Sequence, residues 1–151
     1  MEETLERKLH RASRKQYPLG IIMLDVDYFK RFNNTYGHAT GDVILREMGS
    51  LLLKQVRTDD ISSRIGGDEF VVILPDASRE VTRKRAEVLW EYAHHFQVQF
   101  DSKILDKISL SLGIAVYPKD GSTSVTVLKA ADNALYRAKH EGRDRVVMAN
   151  E

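Results

Sequence analysis

Arg64-Ile65-Gly66-Gly67-Asp68-Glu69-Phe70-Val71-Val72-Ile73-Leu74-Pro75 is the stretch whose reading decides the fold. Ile61-Ser62-Ser63-Arg64-Ile65 leads into two glycines, two acids follow at once, and an apolar run continues from them. A Gly-Gly pair between such runs predicts a tight hairpin, because glycine reaches positive φ without steric cost. Bare backbone at the turn also admits a ligand, and Asp68 and Glu69 beside it stand on a rigid edge able to hold a divalent ion and phosphates. Two readings are open here: such a binding edge, or a surface hairpin with solvated acids.

Leu19-Gly20-Ile21-Ile22-Met23-Leu24-Asp25-Val26-Asp27 supplies the context. A continuous apolar run of this length predicts a strand buried on both faces. Asp25 lies at its end, where a carboxylate tolerates burial only when paired or metal-bound, so it is assigned to a metal. Asp27 precedes Tyr28-Phe29-Lys30 and is expected to cap the next helix. Asp25 and Asp68 meet only if the strand and the hairpin are neighbours in one sheet.

The rest of the chain reads as helices over residues 28–36, 39–56 and 78–96, the last with Val81, Leu89, Tyr92, Ala93 and Phe96 facing inward. His94 and His95 near its end are expected to serve helix termination or the surface. Ile108, Leu110, Leu112, Ile114 and Val116 alternate with smaller residues, a period-two strand whose second face leaves room for a helix or ligand. Leu128, Ala131, Leu135 and Ala138 mark a further helix, and Arg145 to Met148 a short closing strand. Elements mixed without regular βαβ alternation predict an α+β domain with a mainly antiparallel sheet flanked by helices.

Composition sets limits. The 151 residues, 42% hydrophobic and 30% charged, fit one soluble domain over residues 1–151. Residues 1–17 read as an N-terminal helix with Leu5, Leu9 and Ala12 on one face. Its basic cluster (Arg7, Lys8, His10, Arg11, Arg14, Lys15) reads as a solvated face or part of a signalling linker. A net charge of +1 gives no broad attraction to nucleic acid or membrane, so neither is expected as a partner. The absence of cysteine removes disulfide and thiol chemistry and suits a cytoplasmic location. No membrane insertion by this segment is expected.

Asp25-Val26-Asp27-Tyr28-Phe29-Lys30, then Asn33, Tyr36-Gly37-His38, Gly41-Asp42 and the Gly66-to-Phe70 pentad together resemble the GGDEF domains, the diguanylate cyclase family. The likeness continues through Ser111-Leu112-Gly113-Ile114-Ala115, the run from Ala130 to Lys139, and Gly142-Arg143. It implies a ferredoxin-like palm similar to class III nucleotidyl cyclases. It also implies condensation of two GTP into cyclic di-GMP with release of pyrophosphate, dependence on Mg²⁺ or Mn²⁺, and activity as a homodimer. A catalytically silent domain that senses cyclic di-GMP or GTP is the alternative, although such relatives usually lose the turn acids. The family's leading Asp-x-Leu-Thr-Gly-Leu-x-Asn-Arg stretch is missing. The resemblance therefore implies a piece of a larger bacterial signalling protein, membrane-anchored or not, with a sensory domain upstream.

The same resemblance assigns metal binding to Asp25, the Val26 carbonyl and Asp68, and proton acceptance to Asp68. Glu69 joins as a second metal or base participant, Lys30 stabilises phosphate charge, and Gly66 and Gly67 form the turn. Asn33, His38 and Asp42 match substrate-binding positions, with Asn33 and Asp42 on guanine edges; read locally, both could equally be helix caps. Lys139 and Arg143 match holders of the terminal phosphates; read locally, they are a basic helix C-terminus. Arg57 and Asp60 match an inhibitory product site, or a helix-terminal Arg before an acidic loop. A further Arg that some relatives place there aligns with Val88, leaving Arg83 or Arg85 to substitute. Asp144 stands where Asn is frequent.

Overall fold

The computed structural model describes residues 2–96, 99–100, 103–104 and 107–150. In chain order the elements are α1 (Glu2–Lys15), β1 (Leu19–Val26), α2 (Phe29–Tyr36), α3 (His38–Gln55), β2 (Ile61–Gly66) and β3 (Glu69–Pro75), followed by α4 (Arg79–His94), β4 (Gln99–Phe100), β5 (Lys103–Ile104), β6 (Leu110–Tyr117), α5 (Ser124–His140) and β7 (Arg145–Met148). Five strands form one sheet in the order β2-β3-β1-β6-β7, and β4 pairs with β5 apart from it. The β4–β5 ladder is absent from the sequence reading.

β1 is the central strand, and all eight of its residues are buried, as its unbroken apolar run predicts. Alternation divides its side chains between two cores. Ile22, Leu24 and Val26 pack with Ile44, Met48 and Leu52 of α3 and with Ala86, Leu89 and Ala93 of α4. Leu19, Ile21 and Met23 pack with Leu5, Leu9 and Ala12 of α1 and with Val127, Ala131 and Leu135 of α5. Each buried Leu, Ile, Val or Met among these contributes about 1.5–3 kcal/mol. Asp25 continues the odd-numbered set and so emerges on the α5 face.

β3 and β6 both run antiparallel to β1, with Asp25 opposite Glu69 on one side and Ser111 on the other. β7 is the exception: it lies parallel to β6, so the sheet is mixed and mainly antiparallel. The small second face of β6 admits a helix. A Cβ at Gly113 would lie 2.2 Å from the Leu135 nitrogen of α5.

Three local expectations are corrected. Val81 and Tyr92 are 38% and 48% exposed, since the face of α4 turned inward runs through Thr82, Ala86, Leu89 and Ala93. Neither Gly66 nor Gly67 takes a positive φ; both border open space, and the ladder is adjusted instead by an irregularity between Arg64 and Gly66. Asp27 does not cap α2. The N-cap is Tyr28, at φ 56° and without a side-chain cap, because the Asp27 carboxylate is drawn into the sheet, where Ser109 and Ser111 donate to it at 2.6 and 2.5 Å.

Candidate active site

The end of β1 and the hairpin turn meet on the α5 face. Asp25 is 5% exposed, and the Lys139 ammonium, from the last turn of α5, forms an ion pair with it. Asp68 sits in the turn, and its carbonyl accepts the Val26 N–H at 3.4 Å, which stitches the turn to the strand end. Burial pushes the Asp25 carboxyl up to about 6; hydrogen bonding to Lys139 opposes the rise, and the Asp68 charge adds to it. Glu69 is also raised, by burial and then by Asp132. Burial works against the Lys139 charge, yet the Asp25 hydrogen bond and the surrounding carboxylates hold its pKa above the usual lysine value. Negative charge is thus concentrated in a partly dry site and answered by one lysine.

Asp25, Asp68, Glu69 and Lys139 are therefore brought together. Lys30 is exposed in the first turn of α2, and His38 is exposed at the start of α3. The cap alternatives for Asn33 and Asp42 are overturned, because both lie inside helices whose N-caps are Tyr28 and Gly37. The Asn33 Oδ1 atom is buried without a hydrogen-bond partner, facing Gly41, where a Cβ would lie only 1.7 Å away. An orphaned acceptor of this kind carries an energetic cost unless a ligand or water meets it. Asp42 is exposed on α3 and borders a cleft of about 590 Å³ shared with Arg46, Ser62 and Arg64. Arg143 lies beyond α5 at φ 62°, its guanidinium 4.7 Å from the centre of the Tyr28 ring.

Arg57 and Asp60 lie in the loop between α3 and β2 and close on each other: the Arg57 N–H donates to Asp60 Oδ2 at 2.8 Å. Arg85 reaches the same oxygen at 2.8 Å and also donates to the Gln55 carbonyl. Arg83 instead pairs with Glu87 along α4. Of the two arginines, Arg85, three residues before Val88 on α4, is therefore the one that reaches Asp60.

Sequence reasoning missed Ser109, Ser111 and Asp132. The signals were present: the two serines share the strand face that Asp27 occupies across the ladder, and Asp132 precedes Lys139 by two helical turns.

Among the described residues no group of three His, Cys, Asp or Glu forms a complete metal cage. Asp25 and Asp68 offer hard carboxylate oxygens, and burial leaves the Asp25 charge only partly compensated by Lys139. This donor set fits Mg²⁺ or Mn²⁺, ions that take one or two carboxylates and complete their shell with water and phosphate.

A mixed, mainly antiparallel sheet with acids at a strand end and an adjacent turn has the architecture of a cyclase-type palm domain. The family model described as "Diguanylate cyclase, GGDEF domain" matches residues 1–145, and the chain belongs to that family. Diguanylate cyclase A of Treponema denticola is 33% identical over 141 residues, covering 93% of this chain and 38% of that protein. The GGDEF domain of TpbB (YfiN) from Pseudomonas aeruginosa superposes with a TM-score of 0.94 at 33% identity, covering 99% of this chain and 93% of that one. The GGDEF domain of DgcB from Caulobacter crescentus, solved in complex with c-di-GMP, gives 0.94 at 30% identity, with 99% and 86% covered. The chain spans roughly a third of the length of the curated relatives it matches (38%, 32% and 33% of the first three). No helix among the described residues is long and apolar enough to cross a membrane.

Proposed function

We propose that this chain is a catalytic diguanylate cyclase domain that joins two GTP into cyclic di-GMP. The observation that carries this reading is the Asp25–Glu69 pairing across β1 and β3, which unites the strand-end acid with the turn acids under Lys139. Each GTP 3′-hydroxyl attacks the α-phosphorus of the other nucleotide; two P–O bonds form, and two pyrophosphates leave. Asp68 accepts the hydroxyl proton, with Glu69 beside it as a second base or metal participant. Asp25, the Val26 carbonyl and Asp68 would hold Mg²⁺ or Mn²⁺. When bound, that ion supplies charge neutralisation on the phosphates. Lys30, Lys139 and Arg143 hold phosphate oxygens against the charge that develops during transfer. Gly66 and Gly67 leave the turn open to the nucleotide.

Asn33 and Asp42 meet the guanine edge, with His38 beside them. An adenine there would leave the Asp42 carboxylate without the N1 and N2 donors, a mismatch that discriminates strongly. One domain binds one GTP, so turnover needs two domains face to face. Arg57 and Asp60, with Arg85, form a product-binding site that restrains activity. The domain works in the cytoplasm, within a longer signalling protein.

Incubation of the purified domain with GTP and Mg²⁺, followed by nucleotide chromatography, tests the reading. Cyclic di-GMP and pyrophosphate should appear at 1:2, specific activity should climb with protein concentration, and Asp68→Ala should abolish product while its circular dichroism stays unchanged. GTP binding without turnover would instead establish a silent sensor.

A further inference from the structure

The Gly142-Arg143-Asp144 turn is strained. All three residues have positive φ (126°, 62° and 49°), and two of them carry a Cβ. Such a conformation persists only where surrounding bonds over-determine it. Its anchors are specific. The Asp144 N–H donates to Asp27 Oδ2 at 2.9 Å, and the Asp144 carboxylate accepts from Trp90 Nε1 at 2.8 Å and contacts His94 Nε2 at 2.5 Å. The Arg143 N–H closes back on the Ala138 carbonyl, and Arg145 Nε donates to the Arg143 carbonyl. Asp27 itself is 7% exposed and already receives Ser109 and Ser111. Two carboxylates thus anchor the turn, Asp27 to the serines at the start of β6 and Asp144 to Trp90 and His94 of α4. Between them stands Arg143, whose guanidinium donates to the Lys139 carbonyl and lies over the Tyr28 ring.

We propose that Asp27 and Asp144 are positioning residues for substrate: they hold the turn so that Arg143 is aimed at the terminal phosphates of the nucleotide. The inference rests on the phosphate-binding reading of Arg143 above. Neither carboxylate touches the nucleotide in this role. Asp27 acts through the backbone of residue 144, and Asp144 through the end of α4. A guanidinium with a pre-set direction loses less freedom when it binds than one on a floppy turn, so the benefit falls on triphosphate affinity and not on the base.

The test compares two probes at equilibrium with Mg²⁺: guanosine α,β-methylenetriphosphate, which cannot be cyclised, and GMP, which lacks the terminal phosphates. Asp144→Ala should weaken the triphosphate analogue roughly tenfold, the effect of one lost charge-assisted hydrogen bond, and leave GMP affinity unchanged. The half-saturating GTP concentration should rise by a similar factor. Asp144→Asn keeps an acceptor for Trp90 and should restore the parent values. Asp27→Ala should act in the same direction. Because both residues serve one turn, the double variant should be no weaker than the weaker single. Equal weakening of GMP and the analogue, or an unchanged analogue affinity in the exposed-site variant Asp144→Ala, overturns the proposal. A parent domain that binds the analogue no more tightly than GMP overturns instead the assignment of Arg143 to the phosphates.

Discussion

Lys139 of α5 is ion-paired with Asp25 at the end of β1, and this is the one cation set directly against the buried acid among the described ion pairs. The lysine answers the Asp25 charge only in part, since burial still raises that carboxyl to about 6.

The pH dependence of stability follows from Asp25. Its pKa rises on folding from an ordinary 3.8 to about 6, so its contribution favours the folded state fully below 3.8 and is lost as pH rises through about 6. Without divalent ions, Asp25→Asn should therefore stabilise the domain at pH 7–8 by about 1–3 kcal/mol and flatten the fall in stability between pH 4 and 6. Mn²⁺ should raise the melting temperature of the parent and not of the variant, and should do so less as pH drops below about 6. Thermal unfolding across pH with and without Mn²⁺ checks this; an unchanged pH profile in the variant would show that Asp25 is not the titrating group.

The proposed product site should respond to three substitutions, two that weaken it and one that strengthens it. Arg57→Ala should relieve inhibition by cyclic di-GMP. Arg85→Ala removes the charged donor to Asp60, leaving only the Arg57 N–H on that oxygen, and should weaken product binding by about tenfold, as expected for a lost charge-assisted contact. Val88→Arg places a second guanidinium on the same helix face and should tighten it. Calorimetric titration with cyclic di-GMP measures all three, and equal affinities throughout would remove these residues from regulation.

Two glycines should behave oppositely. Gly113→Ala drives a Cβ into the backbone of α5, 2.2 Å from the Leu135 nitrogen, and should cost about 2–3 kcal/mol of stability in urea unfolding. Gly66→Ala meets nothing within 4 Å and takes no positive φ, so stability should change by less than about 0.5 kcal/mol. A loss of activity in that stable variant would show that the bare turn serves ligand approach.

The elements themselves were legible. The unbroken apolar run from Leu19 to Leu24 predicted a strand covered on both sides, and the alternation from Ile108 to Val116 predicted another. The small residues of the latter left room for a helix or a ligand, and α5 takes it. Faces of helices were less secure: Val81 and Tyr92 of α4 point outward because the helix turns its Thr82–Ala86–Leu89–Ala93 stripe to the sheet. The acids were found by their neighbourhood, but Asp27 was misread as a cap, since its true partners lie 82, 84 and 117 residues away.

By itself the sequence determined periodicity, hence which residues form strands and helices and which side chains share a face, because those depend on neighbours a few positions apart. Tertiary structure alone decided that Glu69 stands opposite Asp25, that Arg85 takes up Asp60, and that Asp27 anchors Asp144. Such partnerships join groups distant along the chain. Their geometry is fixed only when hydrophobic burial on both faces of β1 sets the order and register of the sheet.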